Sequence, residues 1–156
     1  MKFKLTSFSL CVVMLLAFSS TALASEGLDL AKRTGDIKQV FVDATLVGTP
    51  GPTECSAMLT KMQAMQLDYQ MAYLHQTLMF YAMIGASGEE QTKAVLKQSV
   101  KTLADGFRNS IMDSEYPTFW RVMEENILPR HGYSSRKDFL KAIMNLHDEL
   151  TAFAAS

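Results

Sequence analysis

The chain has 156 residues, of which 48% are hydrophobic and 20% charged, and its formal net charge is −1. So even a balance gives no electrostatic footprint for nucleic acid. The length is enough for one hydrophobic core without disulfide or metal staples.

The first segment reads as an export signal. Lys2 and Lys4 form a positive start, residues 10–18 form a short apolar stretch, and Ala22-Leu23-Ala24 is a small-x-small cleavage site. Cleavage after Ala24 is expected, so residues 1–24 are a signal peptide and residues 25–156 a single all-helical domain. The apolar stretch is too short for a stable membrane span. No integral membrane segment is expected after cleavage. The compact layout points to a periplasm, with secretion as the alternative. Cleavage removes two lysines and no acid, which leaves a formal charge of about −3. It also removes Cys11, so Cys55 becomes the sole cysteine. A bridge between two chains, a reactive thiol and an inert packed residue all fit that count.

Residues 25–33 read as a short helix or arm that Thr34-Gly35 breaks. Asp36 and Gln39 then resemble a capping box. Ile37, Val40, Phe41 and Ala44 recur at helical spacing. Residues 48–52 form a Gly/Pro-rich loop.

The stretch 54–84 holds no Gly and no Pro, the residues that most disfavour a helix interior. Gly85 suits the left-handed position just past its end. At 100° per residue, Met58, Met62, Met65, Tyr69, Ala72, Phe80 and Met83 fall on one stripe. Leu67, Met71, Leu74, Leu78 and Tyr81 fall almost opposite. A helix apolar on two sides is usually covered on both, so this stretch is expected to be the spine of a bundle.

Ser87 and Glu90 resemble a second capping box. Leu96, Val100, Leu103, Phe107 and Ile111 carry the next helix, and Lys93, Lys97 and Lys101 form a row on another of its faces. A further helix starts near Asp113-Ser114, tolerates Pro117 in its first turn and ends at Pro129. Ser135 and Asp138 cap the last helix, whose stripe is Phe139, Ile143, Leu146, Leu150 and Phe153. Nothing reads as a sheet. The predicted fold is all-α, a single-domain irregular helical bundle of about five helices around a long central helix.

No catalytic constellation is visible. There is no Gly-x-Ser-x-Gly, no P-loop, no dinucleotide fingerprint and no His-Glu-x-x-His. The chain is therefore expected to be non-enzymatic, to need no cofactor, and to bind another protein as an inhibitor, an immunity protein for a delivered effector, or an accessory factor. The candidate contacts are the two Pro-stiffened loops, through Thr49, Pro50 and Pro52 and through Arg130, His131 and Tyr133, since stiff loops lose less entropy on binding.

The alternative is a ligand-binding bundle for copper, haem or an apolar small molecule. Met71, His75, Met79 and Met83 step by four along the spine, and thioethers with an imidazole suit Cu(I). Core packing is the competing account of the same methionines. A homodimer is compatible with both readings, because four shorter segments leave part of a two-faced apolar spine to cover.

Overall fold

The computed structural model describes residues 7–46, 54–85, 88–114 and 117–156, with side chains described from residue 25 onward and, in the second helix, from residue 58. Helix α1 spans Ser7–Leu46, α2 Glu54–Ile84, α3 Glu90–Met112, α4 Pro117–Val122 and α5 Arg136–Ala155. Among the described residues there is no strand. The all-α bundle expected from the sequence is the fold.

The long helices run up and down. Gly27 lies against Tyr81 and Gly35 against His75, so α1 and α2 are antiparallel. Gln70 on α2 donates to Ser110 on α3 at 2.9 Å. His147 on α5 meets Asp105 on α3, and Lys97 meets Ser156, so these two are antiparallel as well. Arg33 on α1 pairs with Glu149, and Phe41 packs on Phe139. Four walls thus enclose one core, with α1 and α3 both touching α2 and α5. Short α4 closes one end.

Helix α1 corrects one expectation. Thr34-Gly35 does not break it; the helix runs straight through. Thr34 satisfies its hydroxyl on the Leu30 carbonyl one turn back, at 2.7 Å. Gly35 sits under the His75 ring, where an added Cβ would lie 3.3 Å from Cε1. The glycine lets α1 and α2 approach, which offsets its propensity cost of about 1 kcal/mol. What reads locally as punctuation is a packing contact.

Aromatic clusters stand at both ends of the core, and a third pair, Phe119 with Trp120 at 5.1 Å between ring centroids, is buried on α4. At one end Phe41 meets Phe107 and Phe139, each at 5.8 Å between ring centroids, and Tyr133 closes on Phe139 at 4.8 Å. At the other end Tyr81 packs edge-on against Phe153 at 4.9 Å, with the Lys97 ammonium 5.5 Å from the Phe153 centroid. Such edge-to-face pairs add to the area they bury.

The chain between α4 and α5 is set by Pro129. Proline lacks an N–H and clashes with the carbonyl four residues back. The helix widens to a π-turn over Met123–Ile127 and tightens to a 3₁₀ turn over Leu128–His131, with Pro129 in that turn's first positions. Helix α5 starts as its sequence signals. Ser135 Oγ accepts from the Asp138 N–H at 3.2 Å, and the Asp138 carboxylate accepts from the Ser134 N–H at 3.1 Å. Gly85 takes the positive φ, +43°, expected just past α2. The expected box at α3 is not formed as drawn: the helix begins at Glu90 itself, after Glu89 as cap without a side-chain bond. Ser87 lies outside the described residues.

Candidate functional site: the exposed face of α2

The two apolar stripes of α2 have different fates. Leu67, Met71, Leu74, Leu78 and Tyr81 are buried against α1, α3 and α5. The opposite stripe is not covered, contrary to expectation. From Met58 to Met83 eleven residues of α2 are exposed, and eight of them are large and apolar. The other three are Lys61, Gln66 and Gln76, so a single charge marks the whole face. An outward helix face is normally charged or polar, and this one is neither.

The face is ordered along its length. Met58, Leu59, Met62 and Met65 occupy the first half. Tyr69 and Tyr73 stand in the middle, and Phe80 and Met83 finish it. Their exposures run from 44% to 76%. The spacing of 4, 3, 4, 4, 3, 4 and 3 residues through Met58, Met62, Met65, Tyr69, Tyr73, Gln76, Phe80 and Met83 keeps them on one line. That line is about 37 Å long at the helical rise.

The tyrosines are fixed to each other. Their hydroxyls are 2.8 Å apart and their rings pack edge-on at 4.7 Å. The hydrogen bond to Tyr73 is the main reason the Tyr69 phenol is raised above its ordinary value. Beside the face, between α2 and α3, lies an open hollow of about 410 Å³ lined by Thr77, Gln98, Ser99, Thr102 and Leu103.

The residues expected to bind a partner through loops fare unevenly. Thr49, Pro50 and Pro52 lie outside the described residues. Arg130 is exposed. His131 turns inward and donates through Nε2 to the Asp43 carboxylate on α1 at 2.9 Å. Tyr133 packs on Phe139, and burial raises its phenol above the ordinary value. Two of these three thus fasten the 3₁₀ turn to the bundle. The lysine row of α3 is likewise tied inward or along its own helix. Lys93 pairs with Glu90, Lys101 with Asp105, and Lys97 donates to Ser156 at 3.1 Å.

The candidate copper ridge does not converge on one point. Met71 lies wholly in the core, Met79 packs against it from the edge, and Met83 is exposed. His75 donates through Nδ1 to the Ala31 carbonyl at 2.8 Å. Among the described residues no three His, Cys, Asp or Glu side chains gather as metal ligands. The Cys55 side chain lies outside them. The space between Met71, Leu74, Phe107, Ile143, Leu146 and His147 is a cavity of about 10 Å³, room for a single water. That cavity is too small for a haem, which needs hundreds of cubic ångströms.

No described helix is long and apolar enough to cross a membrane. No protein-family model matches the chain, and no curated protein or solved structure shows significant similarity to it. The site therefore rests on its own chemistry.

Sequence reasoning named most of the residues of this face but not its exposure. It missed Leu59. The signal was present: both stripes of a helix this long need neighbours, and the four shorter segments expected around it leave part of it to cover.

Proposed function

We propose that this chain is an exported, non-enzymatic helical module that works by protein–protein contact, through the exposed face of α2. The observation that carries the reading is the composition of that face. Contiguous apolar patches beyond a few hundred square ångströms are rare on monomeric proteins and mark interaction sites. Methionine-rich surfaces with aromatic neighbours are adaptable contact surfaces. Inhibition, immunity against a delivered effector and accessory assembly all belong to this class of work. The periplasm is the proposed location, on the strength of the leader at residues 1–24.

The histidines support a non-catalytic reading. His75 is bonded to a backbone carbonyl, and His131 and His147 each to an aspartate that ties two helices. Each serves as a fastening between elements.

The test compares two baits in the native host, each expressed with its own leader at native level: the wild-type chain and Tyr69→Lys. Tyr69 is exposed, so the lysine leaves the core untouched. A partner held by the wild type and lost by Tyr69→Lys is the expected result. With the untagged native copy of the chain counted as a partner, equal recovery on both baits, or nothing specific on either, overturns the assignment of contact to this face. Fractionation of the same cells reads the location.

A further inference from the structure

We infer that the α2 face is closed by a second copy of this chain, packed as an antiparallel two-fold dimer with the methionine half of one face on the aromatic half of the other. The inference rests on the reading of that face as a contact surface, and names its occupant.

Area is the first ground. At roughly 200 Å² for a large side chain, the eight exposures of 44% to 76% amount to roughly 900 Å² on each copy. A standard stable interface takes about 800 Å² from each partner. The face alone is thus of the size that a dimer needs, and a two-fold contact uses the same patch twice.

Self-complementarity is the second. The stripe from Leu59 to Met83 has its midpoint at Met71. A two-fold axis there, with the helices antiparallel, sets Tyr69 opposite Tyr73 of the second copy. It sets Met62 opposite Phe80 of the second copy, and Met58 and Leu59 opposite its Met83. Thioether sulfur on an aromatic ring is a favourable contact. A parallel pairing loses this match: methionine faces methionine and Phe80 faces Phe80.

Charge is the third. Lys61 is the only exposed charge on α2 between Met58 and Met83. A parallel pairing brings Lys61 against its own copy. The antiparallel one separates the two by about 30 Å along the axis, given the helical rise, beyond the reach of screened repulsion. Among the described residues outside α2 there is no comparable surface: the exposed large aliphatics Leu28, Leu46, Val95 and Met112 stand singly, two far apart on α1 and two far apart on α3.

The experiment uses the chain expressed with its own leader, purified, and studied by sedimentation and by cysteine cross-linking. Wild type is expected to sediment at twice the chain mass in the micromolar range, and Tyr69→Lys at the single mass with unchanged helical circular dichroism. The register is read in a Cys55→Ser background. Met62→Cys alone and Phe80→Cys alone are expected to stay uncross-linked, whereas an equimolar mixture forms a disulfide between them. A dimer in which either single variant cross-links to itself overturns the antiparallel register. A wild-type monomer throughout the range overturns the dimer. That failure is separable from failure of the contact face: a monomer that still holds a partner lost by Tyr69→Lys keeps the face and changes only its occupant.

Discussion

The two stripes of α2 have nearly the same residue types and opposite surroundings. Leu67, Met71, Leu74, Leu78 and Tyr81 meet three other helices, whereas Met58, Met62, Met65, Tyr69 and Phe80 meet solvent. The difference teaches that hydrophobicity sets how much surface a helix needs to hide, while the number of neighbours sets how much it hides within its own chain. An up-and-down bundle of four walls gives each wall one inside. A wall with two apolar sides has a side left over.

The comparison breaks most visibly in stability. Leu74→Ala removes buried atoms from the core-facing stripe and leaves a cavity, so a loss of about 2–5 kcal/mol is expected in urea unfolding. Met62→Ala makes a similar deletion on the other stripe. Measured at a dilution where the chain is monomeric, it should stay within about 0.5 kcal/mol of wild type. Equal losses from the two would mean that the outer stripe is packed within one chain, and the contact face would be lost with it.

A second, smaller effect sharpens the contrast at the rim. The core-facing side of α2 is enclosed by helices that are also fastened to one another by polar ties, of which His147 to Asp105 at 2.8 Å joins α5 to α3. The hydrogen bond from His147, then that from Lys101, holds the Asp105 carboxyl below its ordinary value. A carboxyl whose folded value is depressed stabilises the fold above its unfolded value near pH 4, and that contribution is lost as pH falls through the folded value. Asp105→Asn should therefore cost less than about 1 kcal/mol at neutral pH, since the pair is partly solvated. It should also flatten the fall of stability below pH 4. Urea midpoints taken from pH 7 down to pH 2 read both. An acid limb as steep as that of wild type would show that Asp105 is not among the groups driving it.

Much of the architecture was legible because local chemistry and tertiary packing agree. The α5 stripe Phe139, Ile143, Leu146, Leu150 and Phe153 is buried throughout, and Ser135 caps the helix as its sequence signals. Disagreement arose where a contact distant in the chain decides. Gly35 is helical because His75, forty residues on, needs the room. His131 leaves its turn for Asp43, eighty-eight residues away. Neither partner is visible in the residues around the site. The contact face is the same lesson at larger scale, since residue spacing shows that a stripe is apolar but not whether a wall stands opposite.

The smallest expected effect is the most local. Tyr69 and Tyr73 share one hydrogen bond on the open face, and Tyr73→Phe removes it without touching the core. The Tyr69 phenol, raised chiefly by that bond, should then titrate closer to the ordinary phenol value of about 10. Ring-labelled tyrosine followed by NMR through alkaline pH resolves Tyr69 from the other tyrosines. If the bond lies within one chain, as its geometry has it, the fall should be the same at every protein concentration. A fall that appears only as the dimer forms would transfer the bond to Tyr73 of the second copy, which the antiparallel register places opposite. No fall at either concentration would mean that the two hydroxyls are bonded to water, and the middle of the face would then be wetter than its flanks.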